Sequence, residues 1–350
     1  AADLLDYSDR LFVGRPGVKG DRAGYFAVQS ADCIVSVGSS LHVMTTGYEL
    51  DRFAPHAEKI QVELDEWVLR REKVGVSRKI HSGVKEFLTA LDARLEGRTA
   101  LLESGTWHAR CRSWKREFSS TAEARPGTGS RPDYYTLVEA LSREAPPGCT
   151  VVTDAGSAFY IVGQAFRPRG KQRVITSGAM GAMGHALPLS IGAAVAGAKK
   201  VVCVTGDGSL QTNIQEFATL ARNRLDVCVI VVNNGGYVSI RNTQRNFFNG
   251  FLVGTDPASG VTIPPTDKIA HAYGIPYHRL ARKDGFDEAL RAALRRKGPV
   301  ICEVISPLNQ AIIPSVSSIK REDGKMESRP LEDMAPFMSP ERLREILKIA

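Results

Sequence analysis

Gly206-Asp207-Gly208, twenty-four residues from Ser209 to Val232, and Asn233-Asn234 form the stretch from which the fold can be read. An apolar run precedes each motif: Val201-Val202-Cys203-Val204 before the first, and Val227-Cys228-Val229-Ile230-Val231-Val232 before the second. Both runs are short, β-branched and stopped by turn residues, which is the pattern of strands buried in a parallel sheet. Between them Ile214, Phe217, Ala218, Leu220 and Ala221 recur at helical spacing across 213–224. The unit therefore reads strand, helix, strand, with an aspartate at the carboxyl end of one strand and an asparagine at that of the next. Open α/β sheets bind ligands at this edge. One hard oxygen ligand from each loop suits Mg2+, which takes few protein ligands and completes its shell with phosphate oxygens.

The same alternation extends outward. A helix over 134–144 and a strand over 150–153 come before the motif, and a strand over 300–305 closes the series. Strict alternation of this kind specifies a doubly wound parallel sheet, and the fold class is α/β. Residues 1–95 read as a separate first domain, with strands at 31–37 and 59–64 and a closing amphipathic helix over 84–95. Residues 96–131 read as an irregular linker, rich in Ser, Thr, Gly, Pro and charge over 119–131. The second domain then spans 132–350, its tail from Ser306 expected to wrap over the surface or fold as a lid.

A length of 350 residues allows two full cores. No apolar run approaches the roughly 18 residues of a membrane span, and Ala1-Ala2-Asp3 opens no signal-peptide pattern. The net charge of +8 is spread over short clusters such as Arg70-Arg71 and Arg295-Arg296-Lys297 without interleaved aromatics, so nucleic acid is not the expected partner. None of the six cysteines has metal-ligand spacing, and most lie in or beside expected strands. Buried thiols of a reducing, cytoplasmic protein fit that placement.

The Gly-Asp-Gly and Asn-Asn pair, with its spacer, resembles the cofactor signature of thiamine diphosphate (ThDP) enzymes. Two more segments agree, in the family's order. Thr176 to Gly184, with Leu187-Pro188, is similar to the glycine-rich segment that holds the cofactor's rings. Gly14-Arg15-Pro16-Gly17, through Ala31-Asp32 to Val37-Gly38, resembles the later half of the family's central domain. The whole chain is similar to the acetolactate-synthase-like group. The resemblance implies a ThDP-binding fold joined to part of a Rossmann-like central domain. It implies decarboxylation of a 2-oxo acid, with pyruvate the preferred donor, and carbon–carbon bond formation onto an acceptor carbonyl. A non-catalytic ThDP-binding scaffold subunit is the competing expectation.

The resemblance also assigns residues. Asp207, Asn234 and the carbonyl of Gly236 would hold Mg2+; Gly208 and Ser209, with Gly156 and Ser157 after Asp154, would meet the diphosphate. Met183 matches the apolar residue that bends the cofactor, and Gly181 the carbonyl that accepts from its aminopyrimidine, whereas Met180 reads as core filler. Substrate-side candidates are His185, Tyr237, Arg241, Thr243 and Gln244, with Phe247 and Phe248; His185 reads alternatively as a satisfied core histidine. Thr243 stands where acetolactate synthases carry tryptophan, and Gly38-Ser39-Ser40 replaces their Gly-x-Arg flavin element, which argues against FAD. The glutamate that activates the pyrimidine ring has no matching residue. The resemblance therefore implies a partner chain that supplies the pyrimidine-binding domain and its catalytic Glu, in a hetero-oligomer with two-fold symmetry.

Overall fold

The computed structural model describes residues 2–71, 74–97, 105–123, 129–178, 180–320 and 326–347. The chain divides into two compact units: Val13–Glu123 with Ile313–Ala350, and Ala124–Ile312 with Ala1–Phe12.

The unit of Val13–Glu123 runs α1 (Arg22–Gln29), β1 (Cys33–Val37), α2 (Val43–Thr46), β2 (Glu58–Glu63), α3 (Glu66–Leu69), β3 (Arg78–His81), α4 (Val84–Leu95), α5 (Gly105–Glu117) and α6 (Ser120–Glu123). Its strands pair in parallel in the order β1-β2-β3. Asp21 caps α1: its Oδ1 accepts from the Gly24 N–H at 2.7 Å and its Oδ2 from the Arg15 N–H at 2.9 Å. Phe26 then packs on Cys111, Trp114 and Phe118. These last three belong to a segment expected to be a linker, and the structure corrects that expectation. Trp107, Cys111, Trp114 and Phe118 fall on one helical stripe, and burying it makes α5 part of a core. The stretches 98–104 and 124–128, also assigned to the linker, lie outside the described residues.

The other unit runs α7 (Tyr134–Glu144), β4 (Thr150–Thr153), α8 (Gly156–Ala165), β5 (Arg173–Thr176), α9 (Ala186–Val195), β6 (Val201–Gly206), α10 (Asp207–Leu210), α11 (Phe217–Asn223), β7 (Val227–Asn233), α12 (Val238–Phe247), α13 (Thr266–Ala272), β8 (Tyr277–Leu280), α14 (Phe286–Arg295) and β9 (Val300–Ile305). Six parallel strands stand in the order β5-β4-β6-β7-β9-β8. The four central ones are buried almost end to end, which is why they read as unbroken apolar runs. Strand order reverses between β4 and β6, since β5 lies on one side of β4 and β6 on the other. The helix expected over 213–224 begins instead with a 3-10 turn, Ile214–Glu216, before α11. Residues before Phe12 belong to this unit because Asp3 accepts from the Val174 N–H at 2.9 Å and from Arg173 Nε at 2.7 Å on the edge strand β5.

The tail differs from expectation as well. After Ile312 it joins the unit of Val13–Glu123 through β10 (Ser318–Lys320), β11 (Met326–Ser328) and α15 (Pro340–Leu347). Leu331 and Met334 fill a core with Tyr25 and Phe53. The buried guanidinium of Arg22 donates to the carbonyls of Met334 at 3.0 Å and Pro336 at 2.5 Å and pairs with Glu123. The tail is therefore a component of a core, and the expected boundary at 131/132 gives way to two units interleaved along the chain. Among the described residues no helix is long and apolar enough to cross a membrane.

Candidate functional site

Loops at the carboxyl ends of β4, β6 and β7 meet at the reversal of strand order, where α/β sheets form a crevice. Asp154 follows β4 and is fully buried. Its Oδ2 accepts from Ser209 Oγ at 2.8 Å and Thr205 Oγ1 at 3.1 Å, and its Oδ1 from the Ala155 N–H at 2.7 Å. Ser209 Oγ also accepts from the Gly184 N–H at 2.8 Å. One hydroxyl thus ties the β4 loop, the β6 loop and the glycine-rich segment together. Asn213 Nδ2 donates to the Gly184 carbonyl at 2.9 Å. Gly184 has φ +73°, and a Cβ there would come within 1.6 Å of Thr212 Oγ1. Only glycine fits.

Asp207 follows β6 and is 1% exposed. Its Oδ1 accepts from the Gly208 N–H and its Oδ2 from the Gly236 N–H, both at 2.9 Å. Burial nevertheless pushes its carboxyl up to about 6, against the lowering effect of those N–H groups. Burial raises Asp154 too, and it lifts Tyr134, helped by the charges of Asp207 and Asp154. Beside Asp207, Asn234 is buried, and its Oδ1 has no hydrogen-bond partner among the described residues. An orphaned buried oxygen next to a buried carboxylate costs folding free energy unless something positive meets both. A divalent cation does so. Among the described residues no group of three or more His, Cys, Asp or Glu could hold a metal, so a cation here relies on one carboxylate, an amide or carbonyl oxygen and its ligand's own oxygens. Mg2+ bound with a diphosphate has that requirement.

A cavity of about 280 Å3 opens against these loops. It is lined by nine of the residues singled out from sequence: Gly156, Ser157, Gly181, Met183, Gly208, Ser209, Asn234, Gly236 and Tyr237. Gly156 and Ser157 open α8, whose first N–H groups suit anionic oxygens. Tyr237 packs on Gly208, where a Cβ would meet its ring at 2.6 Å. Met183 is 47% exposed at the cavity, and Met180 is 86% exposed outside it, so Met180 is not core filler.

Six substrate candidates, His185, Arg241, Thr243, Gln244, Phe247 and Phe248, do not line the cavity. Arg241 is 2% exposed: it donates to the carbonyls of Asn234 at 2.9 Å, Gly235 at 3.2 Å and Leu308 at 2.8 Å, and pairs with Asp256 at 3.3 Å. It holds the loop that carries Asn234 and is enclosed by protein. Gln244 closes the next loop on Val253, and the Thr243 hydroxyl donates back to the Ser239 carbonyl. His185 is exposed at the start of α9, which removes the core-histidine reading. The lining residues that the sequence reading missed include Tyr134, Tyr160 and Ser239. Only the packing of α7, α8 and α12 around the crevice places them there, and no local pattern marks them.

Residues 154–304 match the thiamine pyrophosphate enzyme C-terminal TPP-binding domain, and residues 1–91 match the thiamine pyrophosphate enzyme central domain. Among curated relatives, the acetolactate synthase isozyme 2 large subunit of Escherichia coli (strain K12) is 30% identical over 300 residues, covering 84% of this chain and 51% of that protein. The acetolactate synthase large subunit of Parasynechococcus marenigrum (strain WH8102) is 31% identical over 305 residues, 86% of this chain and 47% of that protein. The chloroplastic acetolactate synthase 1 of Nicotiana tabacum is 26% identical over 323 residues, 89% of this chain and 47% of that protein. The chain spans about half the length of the curated relatives it matches.

Proposed function

The chain belongs to the thiamine pyrophosphate enzymes, with their central and C-terminal TPP-binding domains, and we propose that it acts on 2-oxo acids with thiamine diphosphate and Mg2+. The observation that carries this reading is the unpartnered Asn234 Oδ1 beside the buried Asp207, at the ends of two adjacent strands. Asp207, Asn234 and the Gly236 carbonyl are the proposed metal ligands. Gly156, Ser157, Gly208 and Ser209 line the same cavity, and the first N–H groups of α8, at Gly156 and Ser157, suit the diphosphate. Met183 and Gly181 line the cavity where they would hold the cofactor's rings, Met183 by apolar contact and the Gly181 carbonyl by accepting a hydrogen bond from the amino group. Bound in this way, thiamine diphosphate supplies an electron sink for the loss of CO2 from a 2-oxo acid and a nucleophilic carbon for joining the remainder to an acceptor carbonyl. Protein groups orient it and exclude water.

Pyruvate is the proposed donor, by resemblance to the acetolactate-synthase-like group, and Gly38-Ser39-Ser40 in place of a Gly-x-Arg element supports a reaction without FAD. Among the described residues the cavity lining contains no Asp or Glu, which supports a pyrimidine-binding domain and its glutamate reaching the site from another chain of a two-fold hetero-oligomer. The same observation favours the second reading, a ThDP-binding subunit without turnover of its own. Five of the six cysteines are buried thiols, which suits the reducing cytoplasm. The test is CO2 release from pyruvate by the native assembly with Mg2+ and ThDP and no electron acceptor. Release that is lost in Met183→Ala supports catalysis. A strict need for a quinone or flavin would overturn the non-oxidative reading, and absence of any turnover would favour the scaffold.

A further inference from the structure

The carboxyl edge of the six-stranded sheet holds the proposed cofactor site, and the opposite edge carries a second concavity of about 480 Å3. It is built from segments that lead into β4, β6, β7 and β9, at Cys149, Lys199, Lys200, Asp226 and Lys297, together with the ends of α7 and α14. Eight Lys and Arg side chains line it, against two carboxylates, Glu144 and Asp226. Both carboxylates are already engaged. Arg291 binds Glu144 through two hydrogen bonds, at 2.5 and 2.9 Å, and Lys200 binds Asp226 at 2.7 Å. Lys200 is itself 7% exposed and also donates to the Arg296 carbonyl at 2.7 Å, so a fixed cation forms part of the wall. Arg143 is paired outside the cavity with Asp287.

Helix C-termini attract cations, which accounts for Arg143 at the end of α7 and Arg295 at the end of α14. Arg169, Lys199, Arg296 and Lys297 lie in loops, where that explanation does not reach. Like charges gathered around a concave surface repel one another and focus a positive potential into it. From this geometry we propose a second anion site, for a small molecule bearing two or more linked phosphate groups, such as a nucleoside di- or triphosphate. Guanidinium groups on several walls match several phosphate groups better than one. The volume falls in the range of small-ligand sites, and Pro146 and Pro147 add an apolar wall for a flat or apolar appendage. The inference does not depend on the reaction at the other edge.

The test is calorimetric titration at near-physiological salt in EDTA, which removes the Mg2+ that the proposed first site requires, so that this site does not compete. Tripolyphosphate and ATP are the probes, orthophosphate and a single-stranded oligonucleotide the comparators. The expected result is ATP and tripolyphosphate binding at least about tenfold more tightly than orthophosphate, with a loss of at least about tenfold in Lys199→Glu/Arg296→Glu. Both replaced side chains are exposed, and a circular-dichroism melt unchanged from the parent shows that the fold is retained. Equal binding by parent and variant, equal binding of orthophosphate, or tighter binding of the oligonucleotide overturns the proposal.

Discussion

Asn234 and Arg241 lie seven residues apart and do opposite things with their polar atoms. Asn234 Oδ1 is buried and uses no protein donor, so removing it breaks no hydrogen bond of the fold. Asn234→Ala should therefore change the melting temperature little while weakening Mg2+-dependent ThDP binding by at least about tenfold, within the range seen when a metal site loses an oriented partner. Calorimetry with unchanged affinity would remove Asn234 from the metal site. Arg241 has three carbonyls and a carboxylate as partners, and its own guanidinium is buried. Arg241→Met should leave the buried Asn234 carbonyl unpaired and destabilise its unit by about 1–3 kcal/mol. A melt within error of the parent would show that the guanidinium is not what fixes this loop. Residue type misled the sequence reading here. A charged side chain just after a ligand motif reads as substrate-binding, and nothing in the spacing shows that it points into protein. Asp207 and Asn234 were legible because their motif positions coincide with strand ends; Tyr134 was not, because only tertiary packing brings it to the cavity.

Elements with one clear periodicity could be read directly. Those over 84–95, 134–144, 150–153 and 300–305 have the expected bounds, since an amphipathic stripe or a short β-branched run leaves little choice. α5 was hidden by its arginines and lysines, which mask the Trp107, Cys111, Trp114 stripe by composition although not by spacing. Its partner α1 carries a pH-dependent group. Asp21 caps that helix, where the dipole and two N–H donors favour the charged form, yet burial outweighs them and pushes its carboxyl up to about 6. Because the folded state then holds the proton more tightly than the unfolded one, the contribution of Asp21 to stability is full below the usual aspartate value near about 4 and is lost as the pH rises through about 6. Carboxyl NMR should show Asp21 titrating near about 6. A midpoint near about 4, the ordinary aspartate value, would mean that the cap is better solvated than its burial indicates.

On the scale of the whole chain, sequence order and spatial grouping diverge. Residues before Phe12 and after Ile312 each join the unit built mainly from the other part of the chain. Reading domains as consecutive segments missed this, because the contacts responsible join residues far apart: Asp3 to Arg173, and Arg22 to Met334 and Pro336. Large apolar side chains remain exposed in both units. Val84, Leu88, Leu91 and Leu95 recur along α4, and Met183, Ile240, Phe247 and Phe248 are exposed in the unit that carries the cavity. Such faces commonly mark surfaces that another protein segment covers, in keeping with a site completed from elsewhere. Whether the crevice at the β4/β6 reversal is the cofactor site can be tested on the entire chain at once by hydrogen–deuterium exchange with ThDP, in Mg2+ and in EDTA. The account predicts Mg2+-dependent protection at 154–157, 181–184, 207–209 and 234–236, with the remaining segments unchanged. Protection that is independent of the metal, or that appears elsewhere while these four segments exchange as before, would contradict it.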